Sequence, residues 1–526
     1  PFMATINEHQ AINTPGDEAK LAIGLESGKA YVRGYEIETL GTRYVNVDKA
    51  RDYALFEAAS VPMLVGNYVE VQNVDGIPDI NTYGKMSIYD TAGGTGTVIG
   101  FARARSFVYA GAGKYRLYLF DIQMNAAESF QDARSFKLAS TPEFLSDIVL
   151  TSGNAIIQEP NRNSMVFRLP FERVKTCDSQ ADDAPDDFNY VYFTNRDVGS
   201  SLVASGQATF STVGTNELFE PFDDENWVIT VATGGSSGTI VTLTSGDVNI
   251  QSGSENVVVS GLGTYEGETV RLIAGVKRTL THKSKSLTGG EGAGSDNVRL
   301  YPIPSPSNTG WMSLDRGDGY RLIAVYQSAD TSTDATINDE DVTEYYEFDN
   351  GQRDNFYDLC AVRLRPQTAF RPKGRLLVKF EYFSHSGAGD FFSVDSYGGL
   401  EDTDGNIVRY EDIPDFKSRN TGELIELRSA IDFRPRIDNS GGNFSGTGAS
   451  TTTCPEPLTT FTTDIQYYLN RVDKLYLDKD GNFGVTKGIP SLDPKLPEDP
   501  KDAMVIYNVM IPAYTLNTAE VGIQML

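Results

Sequence analysis

The chain has little of the side-chain chemistry on which many enzymes depend. Its 526 residues include only three histidines, His9, His282 and His385. A histidine-based catalytic triad or zinc site needs such groups close together, so the sequence argues against both. The stretch "GGSSG" at 234–238 matches a serine-hydrolase elbow, but it lies in a glycine- and serine-rich run and not between a strand and a helix. We therefore predict a non-enzyme, with no catalytic, cofactor-binding or metal-binding residues and no cofactor.

Cysteines and long apolar runs are also scarce. Cys177, Cys360 and Cys454 lie far apart and form no CxxC pair, so neither a zinc site nor a disulfide framework is predicted, although one pair could still bond. No run approaches the ~18 apolar residues of a membrane span, and "PFMATINEHQ" lacks the features of a secretion signal. The sequence predicts no membrane insertion and synthesis in a reducing cytoplasm.

Basic residues are the minority charge. The 45 Lys and Arg against 72 Asp and Glu give a formal charge of -27, which repels a polyanion and argues against nucleic-acid binding. One stretch, "VKRTLTHKSK", runs against this sign with Lys277, Arg278, Lys283 and Lys285. We expect a solvated strand end there, and the alternative is a docking site for an acidic partner.

A Gly-Lys pair in "LAIGLESGKAYVRGYEIETLGTRYVNV" superficially suggests a phosphate-binding loop. Gly24 is one residue too close to Gly28, and Ala30 stands where the loop needs a hydroxyl side chain. The following residues alternate and are rich in aromatic and β-branched types, which is typical of a strand. Lys29 is therefore predicted to be the exposed start of a strand.

What the chain has in abundance favours β structure. It contains 50 glycines, 27 tyrosines and 27 phenylalanines. This composition is typical of twisted strands joined by tight turns. We predict a mainly β chain of several antiparallel sandwich-like or barrel-like domains in one elongated molecule, with few short helices. Changes in composition divide it into a β domain at 1–184, an inserted sandwich-like domain at 185–300, an aromatic-rich β domain at 301–437, a linker at 438–456, and a C-terminal hairpin with an extended segment at 457–526.

Four local patterns carry specific expectations. "STPEFLSDIV" predicts a helix, because Ser140 and Glu143 have the spacing of a capping box. "KYRLYLFDIQM" alternates with a period of two, which predicts a half-buried strand. "RLLVKFEYFSH" is expected to place Val378, Phe380 and Tyr382 on one face. "DKDGN" at 478–482 and "DTDGN" at 402–406 resemble calcium loops but lack a ligand at the first position, so both are predicted to be hairpin turns.

The stretch "LRSAIDFRPRI" carries the most specific local prediction. As a strand it turns Ile431 and Phe433 inward. Asp432, Arg434 and Arg436 then share the opposite face, and the proline between the two arginines restricts the strand to an edge. Asp432 and Arg434 are expected to pair, so that the guanidinium locks backbone carbonyls or a neighbouring subunit.

Six segments together resemble a family of virion structural proteins from contractile-tailed, T-even-like bacteriophages. They cover most of the chain outside 185–300, and they occur in this order: "GKAYVRGYEIET", "YRLYLFDI", "NGQRDNFYDL", "FEYFSHSGAGDFFSVDSY", "LRSAIDFRPR" and "YLNRVDKLYLDKDGNFGV". The resemblance brings no catalytic residues with it.

This resemblance implies a structural component of the virion tail, in the baseplate or the tail-fibre attachment network. The expected partners are other virion tail proteins and further copies of the chain as a homo-oligomer, and the expected location is the virion. One alternative is a tail protein that binds or depolymerises host surface glycans, although no β-helix repeat is visible. Another is a capsid decoration protein.

Overall fold

The computed structural model describes residues 4–8, 20–139, 143–177, 191–214, 217–279, 281–288, 299–386, 388–397 and 410–525. Their regular structure is almost entirely antiparallel β, which confirms the predicted fold class. The helices among these residues are 3-10 helices of three or four residues. None of the helices in the described ranges is long and apolar enough to cross a membrane.

The bounds of the strands follow in chain order. The first half contains β1 Ala4–Glu8, β2 Lys20–Leu25, β3 Gly28–Val32, β4 Tyr35–Thr39, β5 Arg43–Asp48, β6 Tyr53–Pro62, β7 Tyr68–Asp75, β8 Lys85–Tyr89, β9 Val98–Gly111, β10 Lys114–Met124, β11 Ser135–Leu138, β12 Phe144–Ile148, β13 Val166–Arg168, β14 Val174–Thr176, β15 Val191–Leu202, β16 Ala208–Ser211, β17 Glu217–Phe219, β18 Val228–Thr233, β19 Ile240–Val241, β20 Val248–Ile250, β21 Asn256–Val259 and β22 Thr269–Thr279. The second half contains β23 Ser284–Thr288, β24 Arg299–Ile303, β25 Met312–Gly317, β26 Gly319–Gln327, β27 Glu340–Asp341, β28 Tyr346–Asp349, β29 Leu359–Leu364, β30 Leu376–Ser386, β31 Asp415–Lys417, β32 Leu424–Glu426, β33 Ala430–Asp432, β34 Thr460–Tyr468, β35 Arg471–Asp478, β36 Phe483–Thr486, β37 Ala503–Ile511 and β38 Gly522–Met525. The 3-10 helices are Ala92–Gly94, Phe130–Asp132, Pro160–Arg162, Gly263–Tyr265, Thr343–Tyr345, Val394–Tyr397, Tyr410–Asp412, Leu427–Ser429 and Thr518–Glu520.

The chain forms two compact units. Unit 1 combines residues 1–57, 171–177 and 465–526, and unit 2 combines 58–170 and 178–464. The finer boundaries predicted at 184, 300, 437 and 456 stay predictions.

Unit 1 joins strands from the two ends of the sequence around one core. The sheet β1-β2-β5 and the hairpin β3-β4 come from the N-terminal segment, whereas the sheet β36-β35-β37-β38 comes from the C-terminal segment. Apolar side chains of both segments, among them Leu21, Val47, Leu475 and Val509, form one buried cluster. The predicted hairpin at 478–482 is confirmed, because Leu477 of β35 pairs with Phe483 of β36.

Unit 2 contains a closed six-stranded barrel and two further sets of packed sheets. The barrel order is β10-β7-β12-β11-β8-β9, and a core that includes Val69, Phe107 and Phe144 fills it. The sheet β15-β22-β18-β19 and the sheet β16-β21-β20 share a second core. The sheet β23-β30-β26-β27 and the sheet β25-β29-β28 share a third.

The predicted helix at "STPEFLSDIV" is wrong where the structure describes it. Phe144–Ile148 is the barrel strand β12, in which Phe144, Ser146 and Ile148 are buried and the residues between them are less so. This period of two outweighs the capping pattern, because pairing with β7 and β11 satisfies the backbone. Ser140 lies outside the described residues.

The strand in "KYRLYLFDIQM" is confirmed as β10, but the half-buried pattern is wrong. Leu117, Tyr118, Leu119 and Phe120 are all buried. The inner face of β10 lines the barrel, and Phe120 on the other face packs into a second cluster with Tyr83 and Phe444. A strand covered on both faces shows no alternation of burial.

Candidate functional site

Unit 2 contains a set of buried ionic and hydrogen-bonding side chains, here called the buried ion network. Its members are Lys285, Asp318, Gln352, Tyr357, His385, Tyr397, Asp432 and Arg434. The side chains of Lys285, Asp318, His385 and Arg434 are fully buried. Burying charges at this depth is costly unless every charge has a partner.

The two sheets that share the third core bring the first half of the network together. Lys285 of β23 and His385 of β30 are paired neighbours in the sheet. Asp318 occupies the single-residue turn between β25 and β26 with a φ of 55°, a left-handed conformation that aspartate tolerates better than most residues. This turn aims its carboxylate at the paired strands.

Asp318 is the acceptor at the centre of this half. Its Oδ2 atom lies 2.8 Å from the Lys285 ammonium and 2.8 Å from Nε2 of His385. Lys285 also donates to the hydroxyls of Tyr357 at 2.9 Å and Tyr397 at 3.1 Å. All three ammonium hydrogens of Lys285 therefore have acceptors.

The second half of the network is a two-pronged arginine–carboxylate pair. The Arg434 Nε atom donates to Oδ1 of Asp432 at 2.9 Å, and Nη2 donates to Oδ2 at 2.8 Å. Nη1 donates to the backbone carbonyl of Arg353 at 2.9 Å. The predicted Asp432–Arg434 pair is thus confirmed, as is the locking of a backbone carbonyl.

Tyr357 connects the two halves. Its hydroxyl accepts from Lys285 and from Nη2 of Arg434 at 2.9 Å, and it donates to Oδ2 of Asp432. The Arg434 guanidinium also lies 4.2 Å from the centre of the Tyr357 ring, a cation–π contact in a desolvated setting. The network is therefore one connected unit.

The protonation states of the network follow from burial and neighbouring charge. Burial opposes the ionisation of Asp318, but Lys285 and His385 hold the pKa of this carboxyl well below its usual range. Burial lowers the pKa of His385 to about 3, against the opposing effect of the Asp318 hydrogen bond. Burial also raises the pKa of Tyr357 far above its ordinary value. Burial likewise lowers the pKa of Lys285, against the opposing effect of the Asp318 charge. At neutral pH the His385 imidazole and the Tyr357 phenol are neutral.

The charged groups of the network bind one another, and the side chains of Lys285, Asp318 and Arg434 are fully buried. A general base or nucleophile must reach a substrate within hydrogen-bond distance, whereas each charged group of the network is saturated by its neighbours inside a closed interior. In the part of the chain that the structure describes, no group of three or more His, Cys, Asp or Glu side chains could hold a metal ion. The geometry is that of a cluster that holds separate strands together.

Both expectations for the basic stretch at 277–285 are wrong for three of its four members. Arg278 makes ion pairs with Glu217 at 2.7 Å and with Asp390 at 2.8 Å. Lys283 is buried and donates to the Thr451 carbonyl at 2.8 Å, and Lys285 belongs to the network. Arg278 and Lys285 therefore neutralise acids of the same chain, and Lys283 is buried against a backbone carbonyl, so these three residues do not form a basic surface.

The predicted "LRSAIDFRPRI" strand is only partly correct. Strand β33 ends at Asp432 and pairs with β13. Arg434 and Arg436 are buried. The segment does not lie at an open edge, because Tyr357, Phe392 and Ser450 form bridges with it. Phe433 is also buried, as predicted.

The other sequence candidates lie outside the buried ion network. Lys29 is in strand β3, as predicted, and pairs with Glu36 on the surface. The "GGSSG" stretch follows β18. Ser236, at the serine position of the elbow pattern, donates to Oε1 of Glu268 at 3.5 Å, and the Ser237 hydroxyl donates to the carbonyl of Ala232. The cysteines Cys177, Cys360 and Cys454 are buried. His9 and the stretch at 402–406 lie outside the described residues.

The sequence missed Lys285 and Asp318 as partners. Asp318 stands in "RGDGY", where glycines on both sides mark a tight turn, but turn residues carry no information on burial. Comparison of the chain with protein-family models, with curated proteins and with solved structures finds no match.

Proposed function

We propose that the chain is a non-enzymatic structural component of a bacteriophage virion, in the baseplate or tail-fibre attachment network of a contractile tail. One observation carries the proposal. Three of the six segments on which the virion resemblance rests supply six of the eight members of the buried ion network. "NGQRDNFYDL" supplies Gln352 and Tyr357, "FEYFSHSGAGDFFSVDSY" supplies His385 and Tyr397, and "LRSAIDFRPR" supplies Asp432 and Arg434.

The position of these residues favours a scaffold over an enzyme. Segments that support catalysis bring reactive side chains to an accessible cleft, whereas these bring charged side chains into a closed interior. A buried and fully paired ionic cluster contributes chiefly to the choice of one arrangement of strands over others. A defined arrangement is what a part of a large symmetric assembly requires.

Immunogold electron microscopy of purified virions tests the location. We expect antibodies against the purified chain to label the tail, at the baseplate or at the fibre attachment points. Label on the capsid would favour the decoration alternative, and absence of the chain from purified virions would contradict the proposal.

A second assay tests the absence of enzymatic activity. We expect no release of oligosaccharide when the purified chain is incubated with host capsular or lipopolysaccharide glycans. Turnover that disappears when a single Asp or Glu is replaced would contradict the structural function and favour the depolymerase alternative.

A further inference from the structure

Unit 2 also contains an open cleft of about 120 Å³ that the proposed function does not use. Tyr109 of β9 and Tyr115 of β10, which are paired across the hairpin, form one side. Phe222 and Trp227, from the segment between β17 and β18, form the other. The backbone N–H of Tyr109 donates to the carbonyl of Glu225 at 3.0 Å, which ties the hairpin to this segment.

Ring packing holds the aromatic walls in place. The ring of Tyr115 stacks on Phe107 with centroids 4.7 Å apart, and Tyr109 lies 5.2 Å from Tyr115. Trp227 is in contact with Phe222, with their centroids 6.1 Å apart. A cleft fixed in this way needs little ordering when a ligand enters.

The electrostatic character of the cleft is negative. Asp224 is the charged member of the lining, and none of the described lining residues is basic. The segment that carries it also holds Glu220, Asp223 and Glu225. Burial, followed by the charges of these three acids, raises the pKa of Glu456 to about 7. The acids of this segment therefore add, after burial, to the raised pKa of a neighbouring carboxyl, and they make this side of the cleft negatively charged.

We propose that this cleft binds a small organic cation, namely a quaternary ammonium group of the size of tetramethylammonium or choline. Aromatic faces attract a cation through the ring quadrupole, and several rings around one cation are the arrangement that recognises quaternary ammonium groups. The methyl groups pack against the apolar walls while Asp224 balances the charge.

Tryptophan fluorescence provides a local readout of binding. The chain has two tryptophans, so the full chain with Trp311→Phe reports on Trp227 alone. We expect saturable changes in emission on titration with tetramethylammonium chloride or choline chloride at constant ionic strength, with sodium chloride as the balancing salt. The neutral isostere 3,3-dimethylbutanol should bind about tenfold more weakly, since it lacks the cation–π attraction.

Two cleft variants and one control complete the test. Asp224→Asn and Tyr109→Leu should each weaken binding, by about threefold to tenfold. Asp480→Asn, which removes one exposed charge from unit 1, should leave it unchanged. Equal affinity for 3,3-dimethylbutanol, no saturation by either cation, or an equal loss in Asp480→Asn would overturn the proposal. Circular dichroism of each variant confirms that a loss of binding is not a loss of fold.

Discussion

At the residue scale, the buried ion network stabilises the fold only while every member has its partner. Removing one partner leaves the other charged and buried, which typically costs about 3–5 kcal/mol. An exposed ion pair is usually worth less than about 1 kcal/mol. The cost of removing one partner therefore distinguishes an ion pair that stabilises the fold from an exposed pair that contributes little.

We expect Arg434→Ala to lower the free energy of unfolding by about 3–5 kcal/mol, because Asp432 then remains buried without its guanidinium. Arg434→Lys should recover only part of the loss, since an ammonium cannot form the two parallel bonds. The midpoint of chemical denaturation measures both. Arg419→Ala is the matched control, because Arg419 is exposed and its partner Asp349 keeps a second ion pair with Arg353 when Arg419 is removed. Its cost should stay below about 1 kcal/mol. Equal small effects of Arg434→Ala and Arg419→Ala would show that Arg434 is dispensable.

The imidazole of His385 makes stability depend on pH. Its pKa is about 3 in the folded chain and about 6.5 when unfolded, so between these values the unfolded chain binds the extra proton. Stability is therefore fully present above pH 6.5 and decreases as the pH falls below it. Between pH 7.5 and 5, we expect the wild type to lose about 2 kcal/mol relative to His385→Gln, which does not titrate. Denaturation curves of both proteins at each pH measure the difference, and parallel pH profiles would contradict the expectation.

Local sequence patterns predicted part of this site and missed the rest for a physical reason. The Asp432–Arg434 pair was predictable, because residues two apart in an extended chain lie on the same side. Lys285 and Asp318 are 33 residues apart in the sequence and meet only after β23, β26 and β30 have paired. A lysine in an otherwise polar stretch resembles a surface residue until its partner strand is known.

At the element scale, strand identity was more predictable than burial. Val378, Phe380 and Tyr382 share the buried face of β30, as the alternation predicted. β10 lost its predicted alternation because a second cluster covers its outer face, and β12 became a strand because the barrel supplied partners. Packing against other parts of the chain decides the burial of β10 and the conformation of β12. The residue pattern of a single strand carries no information about that packing.

Strand β30 is the central strand of one of the two sheets that share the third core, because it pairs with β23, β24 and β26. Lys379→Pro should lower the free energy of unfolding by about 3 kcal/mol or more, since proline removes a ladder donor from a central strand. Lys379→Ala keeps the backbone N–H and should cost less than about 1 kcal/mol. Thermal or chemical denaturation measures both variants. Similar costs would indicate that the side chain, and not the backbone ladder, carries the effect.

At the scale of the whole molecule, the association of the two chain ends was the feature least accessible from sequence. The segments at 20–48 and 471–525 each showed a recognisable strand pattern. Neither pattern indicates that the two segments pack against each other. They share one core in unit 1, so strands more than 400 residues apart stabilise each other. Contacts of such separation carry a large loop-closure cost in the unfolded chain, and only the burial of a substantial shared core offsets it.

Two truncated chains test this organisation. Residues 58–464 contain unit 2 with its barrel, its sandwiches and the complete buried ion network, so we expect this fragment to unfold cooperatively and to resist limited proteolysis. Residues 1–464 lack Leu475, Leu477, Val509 and Ile511, whose side chains complete the unit 1 core. In this longer fragment we expect the unit 1 segments 20–57 and 171–177 to be digested rapidly, while unit 2 stays protected. Mass spectrometry of the digests identifies the cleaved segments. Protection of residues 20–57 without the C-terminal strands would mean that the N-terminal sheet is stable on its own, and that the shared core is not what holds unit 1 together.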